Sequence, residues 1–205
     1  MARLAVATRE LRYRELDLYA DDATWLDYRL FLFRLYGLHV VVERQLAATP
    51  GLADVIEDAG LRNHKVALLS HDLVSLGVGY RDLAQLPRMD VPALDDLAVA
   101  LGWMYVLEAS TLDGRELRTH LTGLLPTEIE TASAYLDCYG KEAEARWAAF
   151  GRAVDEHAAR TGTAEQIVDA AVDCCDRFRR WLDPARVIRA RPAVAVRRTV
   201  DFSVS

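Results

Sequence analysis

The apolar positions of this chain recur at intervals of three and four residues, which is the spacing of an amphipathic α-helix. The signal is clearest after Thr24, where it predicts a helix over residues 25–47 with Thr24 as its N-terminal cap. The stripe that we expect this helix to bury comprises Tyr28, Leu32, Leu35, His39, Val42 and Leu46. No segment before residue 190 alternates apolar and polar residues as a strand would. The pattern therefore predicts an all-α domain of about seven helices.

The other six helices are delimited by glycine, proline and paired acidic residues. We expect them at residues 4–19, from Gly60 to Gly77, and at 93–121, 128–139, 142–159 and 164–182. In the last of these, Thr163 and Gln166 have the spacing of a capping box. These helices would occupy nearly the whole of a single domain over residues 1–185.

The central predicted helix contains a run of small and polar residues. Residues 101–121 read LGWMYVLEASTLDGRELRTHL, and the segment from Glu108 to Gly114 interrupts an otherwise apolar stretch. Such residues weaken a helix locally and let a flat partner approach its backbone. The pattern alone therefore predicts a kinked helix of the core, whose small residues also leave room for a flat partner.

This stretch resembles the distal helix of bacterial heme oxygenases, the biliverdin-producing type associated with bacteriophytochromes, where the helix reads close to YV-x-EGS-x-LGG. The resemblance spans roughly residues 4–183. Its further matches are Tyr28, Gly37-Leu38-His39, Glu43, Lys65, Asp72-Leu73, Leu76-Gly77, Tyr139-Gly140, Ala145-Arg146-Trp147, Phe150, Phe178 and Trp181-Leu182. It implies a heme-oxygenase-like helical bundle with a pocket for a tetrapyrrole, heme or bilin, between helix one and the central helix.

The residues that the resemblance would make functional depart from the family pattern in three places. The family ligates heme iron through a histidine about four residues after a threonine, but Thr8 is followed by Arg12 and Tyr13, and the first histidine is His39. A guanidinium has no lone pair for iron, whereas Tyr13 could ligate it as phenolate. The usual axial ligand is therefore missing.

The second and third departures concern the distal glycines and the basic anchor of the propionates. Ala109 and Asp113 stand where the family has glycines, and Arg146 precedes Trp147 near the position of the anchor. The implied ligand pocket comprises Arg12, Tyr13, Glu108, Ala109, Ser110, Asp113, Gly114, Tyr139 and Arg146. We expect a divergent, non-catalytic member, a pseudoenzyme, that binds a tetrapyrrole or another flat hydrophobic ligand. The alternatives are an active heme oxygenase with an atypical axial ligand (heme to biliverdin, iron and CO), a ligand-free interaction module, and a non-heme metal oxidase on the same fold.

The metal alternative depends on His39, Glu43 and Glu108. His39 and Glu43 are one helical turn apart, and Glu108 could join them if the bundle brings the two helices together. Because these residues also match the plain heme-oxygenase pattern, internal hydrogen bonding is their simpler expected role.

Composition narrows the class of protein further. The 205 residues carry a net charge of -6, which argues against a nucleic-acid partner. No apolar run approaches the roughly 20 residues that cross a membrane, and the short apolar stretch at the N-terminus does not resemble a cleavable signal. Three cysteines, two of them adjacent, suit reduced thiols rather than a disulfide framework. We expect a cytoplasmic protein.

The C-terminal tail, residues 186–205, differs from the rest. It is basic, and residues 192–205 alternate apolar and polar positions as a strand does, although the chain offers no strand to pair with. Such a tail either pairs with another chain or remains a loose terminus. We expect it to pair with a second copy, which would make the protein a homodimer.

Overall fold

The computed structural model describes residues 1–7, 17–62 and 64–183. Every regular element in these residues is helical, which confirms the all-α class. The α-helices are α1 (Ala2–Ala7), α2 (Trp25–Ala48), α3 (Leu52–Val55), α4 (Ala59–Arg62), α5 (Lys65–Ser75), α6 (Tyr80–Gln85), α7 (Leu97–Leu124), α8 (Pro126–Thr131), α9 (Ala143–Thr161) and α10 (Ala164–Leu182). Two 3-10 turns lie at Asp17–Tyr19 and Gly140–Glu142. Among the described helices, none is both long and apolar enough to cross a membrane.

The centre of the molecule is α7, against which α10 packs along much of its length. All residues from Ala100 to Glu108 are buried, so this half of α7 is covered on every side. The two helices approach most closely at Gly102, where a Cβ would lie 2.5 Å from the carbonyl oxygen of Ile167. Only glycine fits at that point, because any side chain would collide with the backbone of α10.

Helix α2 has the bounds and the buried face that its sequence predicts. Thr24 caps it, and Asp27 completes a capping box by accepting a hydrogen bond from the Thr24 backbone at 2.9 Å. The six residues of the predicted stripe are all buried. The N-terminal cap and the buried stripe of α2 both match the prediction from the sequence, which is therefore confirmed for this helix.

The central helix differs from its prediction in two respects. It begins at Leu97 with Asp96 as its N-cap rather than at Ala93, and its helical hydrogen bonding is uninterrupted from Leu97 to Leu124. The predicted interruption between Glu108 and Gly114 is therefore wrong. Neighbouring elements pack on both Glu108 and Gly114, and tertiary contacts of this kind override a weak local helix propensity.

The predicted helix at 128–139 is also wrong beyond its first turns, since α8 ends at Thr131. Residues 132–142 form an irregular segment, here called the strap. The buried carboxylate of Asp72 accepts hydrogen bonds from the backbone N–H groups of Ala134 and Tyr135, at 2.9 and 2.8 Å. These N–H groups are consequently held by Asp72 and not by helical carbonyls.

Other differences are smaller. The short helices α3 and α6 were not predicted, and α4 and α5 both fall in the single helix predicted from Gly60 to Gly77, so the described residues contain ten α-helices where the pattern predicted about seven in the chain. The capping box at Thr163 does not form. Gln166 instead donates from Nε2 to Asp96 Oδ1 at 2.9 Å, which links the starts of α7 and α10. Arg12, Tyr13 and the tail at 186–205 lie outside the described residues.

Candidate functional site

A buried ion network occupies the middle of the bundle beside α7. Its carboxylate belongs to Glu108, which is 3% exposed. Arg62 Nη1 lies 2.5 Å from Glu108 Oε2, and Lys65 Nζ lies 2.8 Å from Glu108 Oε1. Each carboxylate oxygen therefore has a cation of its own.

The remaining polar atoms of the network are also satisfied. Tyr139 donates to Glu108 Oε1 at 3.0 Å and accepts from Lys65 at 2.9 Å. Arg62 reaches outward to Asp58 Oδ1 at 2.6 Å and to the backbone carbonyl of Arg146 at 3.0 Å. Burial alone would lower the pKa of Lys65, but the adjacent Glu108 carboxylate and Tyr139 raise the pKa above its ordinary value. The lysine therefore stays charged, and the network holds α4, α5, α7 and the strap together.

The contacts in this network bear on whether Glu108 can bind a metal ion. Glu108 was a candidate metal ligand with His39 and Glu43, but its two oxygens are taken by Arg62 and Lys65. Within residues 1–7, 17–62 and 64–183, no group of three or more His, Cys, Asp or Glu side chains could hold a metal ion. The ammonium of Lys65 thus supplies the positive charge that a metal would have brought.

His39 and Glu43 have internal hydrogen-bonding partners instead. His39 Nε2 lies 3.2 Å from the Tyr135 hydroxyl, and Glu43 Oε1 accepts from the backbone N–H of Val66 at 3.0 Å. The distance from His39 Nδ1 to Glu43 Oε1 is 3.9 Å, too long for a strong hydrogen bond. Burial, and then the positive charge of Lys65, lower the pKa of His39 well below its ordinary value, so the ring stays neutral.

Gly114 and Ser110 lie on the side of α7 that faces the core and the strap. A Cβ on Gly114 would lie 2.6 Å from the carbonyl oxygen of Leu136, so this glycine lets the strap cross α7 at close range. Ser110 is buried, and its hydroxyl donates to the Leu107 carbonyl at 2.8 Å. Both residues therefore have packing roles in the structure.

A different side of α7 is only partly covered. Ala109, Leu112 and Asp113 are partly exposed and Glu116 is exposed, although the nine residues before them, from Ala100 to Glu108, are all buried. Spacings of three and four residues place these four on one face of the helix. We call them the open face. It includes Ala109 and Asp113, the two positions that replace the family's glycines.

The open face lies between two aromatic pairs. On one side, one turn before Ala109, the Tyr105 ring packs against Trp147 of α9 with centroids 5.1 Å apart. On the other, one turn beyond Glu116, His120 stacks on Tyr19 with centroids 5.2 Å apart and an interplanar angle of 27°. Fifteen residues separate Tyr105 from His120, which is about 22 Å along the helix axis. The open face is thus a bounded strip.

A cleft of about 440 Å³ adjoins this strip, between α7 and the strap. Leu112 and Glu116 belong both to the open face and to the cleft lining. The guanidinium of Arg115 crosses the cleft and donates to the Gly140 carbonyl. The accessible space beside α7 therefore extends from the open face toward the strap.

The structure separates the predicted pocket residues into groups. Glu108 and Tyr139 are in the buried network, and Arg146 flanks it through ion pairs to Asp58 at 3.2 Å and Glu142 at 3.0 Å. Ala109 and Asp113 lie on the open face, whereas Ser110 and Gly114 face the core and the strap. Arg12 and Tyr13 are outside the described residues.

The network's cations were not predicted as functional residues. Lys65 entered only as a match to the family pattern, and Arg62 not at all. Their contacts with Glu108 join residues more than 40 positions apart, so no local spacing shows them. The available signal was weak: Lys65 is one of only two lysines in an arginine-rich chain, the other being Lys141, and it begins an apolar helix.

Comparisons of this chain with protein-family models, with curated proteins and with solved structures found no match.

Proposed function

We propose that this protein is a heme-oxygenase-like helical bundle that binds heme, a bilin or another flat hydrophobic ligand on the open face without degrading it. The observation that carries the proposal is the partial exposure of that face directly after nine fully buried residues of α7. Beyond nine residues that are packed on every side, α7 is uncovered over the open face and also at Arg115, Arg118 and Thr119, and such an uncovered helix surface can accept a ligand.

Two of the four residues of the open face, Ala109 and Leu112, favour a flat apolar ligand, and Asp113 and Glu116 add carboxylates beside them. Ala109 contributes only a methyl group and Leu112 an apolar side chain, and α7 is regular here, so the surface is shallow. The Tyr105–Trp147 pair and the His120–Tyr19 pair limit its length. The partly exposed rings of Trp147 and Tyr19 offer stacking and edge contacts to a conjugated ring system.

The same residues argue against heme-oxygenase turnover. No histidine precedes His39, so helix one offers no imidazole to iron. Asp113 brings a carboxylate to a place where the family leaves space above the ring. The added side chain takes up part of the space that a ligand bound on iron would need. We therefore propose binding rather than catalysis.

The direct test is a titration of the purified protein with hemin and with biliverdin, followed by absorbance and tryptophan fluorescence. Ala109→Phe should fill the open face and weaken binding by about tenfold or more, equivalent to 1.4 kcal/mol. The matched control is Ala47→Phe on the exposed side of α2, which should leave the affinity unchanged. Failure of both ligands to bind, or equal binding by the Ala109→Phe variant, would refute the proposed site.

A second measurement tests the absence of turnover. Hemin, a reductase and air should yield little biliverdin from the protein as it is. Arg12→His should raise hemin affinity and produce a histidine-type Soret band, and adding Ala109→Gly and Asp113→Gly should strengthen both effects by making room. Efficient biliverdin production by the unaltered chain would contradict the non-catalytic part of the proposal and leave the binding part standing.

A further inference from the structure

Helix α2 carries a second apolar stripe on the side that faces away from the core. Leu26, Leu30, Phe33 and Gly37 follow one another at spacings of four, three and four residues, so they share one face of the helix. We call these four residues the outer stripe. The buried stripe that begins at Tyr28 lies on the opposite side of α2. A helix that is apolar on both sides is normally covered on both sides.

Only one end of the outer stripe is covered. At Gly37, α2 meets the end of α10, where an added Cβ would lie 2.9 Å from the Trp181 ring. At the other end, Leu26 is 43% exposed and its neighbour Trp25 is 42% exposed. Leu30 and Phe33 between them are partly exposed. An apolar surface about 10 Å long is therefore left open along the first turns of α2.

The end of α10 lies directly beside this surface. The indole N–H of Trp181 donates to the Arg34 carbonyl at 2.7 Å, and the Arg34 guanidinium lies 4.6 Å from the centre of the Trp181 ring. The described part of the chain ends two residues later, at Asp183. Leu26 is eight residues from Arg34, which is about 12 Å along α2. Ten extended residues span roughly 33 Å, so the chain beyond Pro192 can reach the whole open surface.

The tail matches this surface in apolar character and in charge. Its apolar side chains beyond Pro192 include Val194, Val196, Val200, Phe202 and Val204. Residues 186–205 also contain five arginines and a single acidic residue. The turn before α2 carries Asp21 and Asp22, which are both exposed, and such opposite charges attract. Because the tail is tethered beside the stripe, its effective concentration there is about millimolar, well above that of a second copy in dilute solution.

We propose that the C-terminal tail packs on the outer stripe of its own bundle. Its apolar side chains cover Leu26, Leu30 and Phe33, and its arginines lie near Asp21 and Asp22. The occupant is the same molecule and not the second copy that the sequence alone suggests, because α10 ends beside an open apolar surface. The site is on α2 and not on the open face of α7, so it does not depend on the proposed function.

Photo-crosslinking of the full chain tests the contact. Leu26 is exposed, so Leu26→benzoyl-phenylalanine can carry the reactive ring on the outer stripe, and mass spectrometry identifies the crosslinked peptides. We expect crosslinks to residues 192–205 in a product of monomer mass. The matched control is Leu61→benzoyl-phenylalanine, at a leucine of α4 that is 67% exposed. Tail crosslinks in a product of dimer mass would overturn docking within one chain. No tail crosslinks, or an equal yield from the control, would overturn the outer stripe as the site.

A charge exchange tests the electrostatic part of the contact in the same crosslinking chain. Asp21→Lys with Asp22→Lys should lower the tail yield by about threefold, because surface ion pairs are lost. Arg197→Glu with Arg198→Glu should lower it similarly, and all four changes together should restore it. Circular dichroism of each variant checks that the helices remain folded. A yield that responds to neither pair, or that does not recover in the combined variant, would overturn the placement of the arginines near Asp21 and Asp22.

Discussion

The ammonium nitrogen of Lys65 lies 2.8 Å from Oε1 of Glu108, and both side chains are buried. This pair sits where the sequence offered His39, Glu43 and Glu108 as possible metal ligands. A lysine ammonium cannot exchange with solvent ions, so the positive charge of the site is permanent. The polar centre of this bundle therefore links helices to one another, and the ligand site that we propose is the open face.

Removal of Lys65 should be costly. Lys65→Met leaves Glu108 buried with one of its cations missing, and breaking a buried pair in this way typically costs about 3–5 kcal/mol. The free energy of unfolding, measured in urea, should fall by an amount in that range. The surface pair Arg177–Asp173, also 2.8 Å long, provides the control. Arg177→Ala should cost less than about 1 kcal/mol.

The double variant Lys65→Met, Glu108→Gln shows whether the cost comes from the uncompensated charge. The amide of Glu108→Gln needs no counter-ion. The double variant should therefore lose less free energy of unfolding than the two single variants lose together, by about 1 kcal/mol or more. Additive losses would mean that the two side chains act independently, contrary to the 2.8 Å contact.

Gly114→Ala should destabilise the protein, because the added Cβ would lie 2.6 Å from the Leu136 carbonyl oxygen. The strap must shift to accept it, at a cost of about 1–3 kcal/mol. Gly123 is in the same helix and has nothing within 4 Å of its would-be Cβ. Gly123→Ala should therefore be neutral or stabilise by up to about 1 kcal/mol. Thermal unfolding of both variants measures the difference, and a stable Gly114→Ala protein would show that the strap is not closely packed there.

Asp72→Asn should release the strap from α5. The amide can accept from only one of the two N–H groups that Asp72 now binds, those of Ala134 and Tyr135. Its NH₂ group would face the other donor, and we expect a loss of about 1–3 kcal/mol. Hydrogen exchange should accelerate first in residues 132–142. Asp95→Asn, at an exposed carboxylate, should change neither stability nor exchange.

The stability of the protein should fall as the pH drops below about 6.5. Burial, followed by the charge of Lys65, lowers the pKa of His39 well below its ordinary value of 6.5. The unfolded chain then binds a proton that the folded chain does not, so stability is full above the unfolded pKa and is lost below it. The slope reaches about 1.4 kcal/mol per pH unit for one such histidine.

The slope between pH 7.5 and 5.5 can be assigned by variants. His157 contributes in the same direction, because burial lowers its pKa too. His39→Gln should reduce the slope while keeping a polar partner for Tyr135. An identical slope in the His39→Gln variant would show that this ring does not govern the acid sensitivity.

The parts of the fold that the sequence predicts well are those in which local and tertiary preferences agree. Thr24 and Asp27 begin α2 by themselves, and its apolar period matches the core that it meets. In α10 the same agreement places Ile167, Cys174 and Phe178 in the core. A pattern of three and four residues is sufficient for such helices.

The parts of the fold that the sequence predicts poorly depend on contacts between residues that are distant along the chain. The Asp72 carboxylate binds backbone N–H groups about 60 residues later, which ends the helix predicted at 128–139. Packing against Glu108 and Gly114 keeps α7 regular. Of the candidate site, Ala109 and Asp113 lie on one partly exposed face of α7, whereas Gly114 packs against the strap. The contacts of Lys65 and His120 are with residues distant in the sequence, so the sequence alone could not predict them.

Gly37, Gly102 and Gly114 limit how this chain can diverge. At each, a Cβ would collide with a carbonyl oxygen of another segment: Pro87, Ile167 and Leu136 respectively. Core leucines can be exchanged for other apolar residues of similar volume, but a backbone contact accepts no such exchange. Relatives of this protein should therefore vary in the identity of their apolar core residues but keep these three glycines at similar separations. The three glycines should therefore help to identify distant relatives whose overall sequence identity to this chain is low.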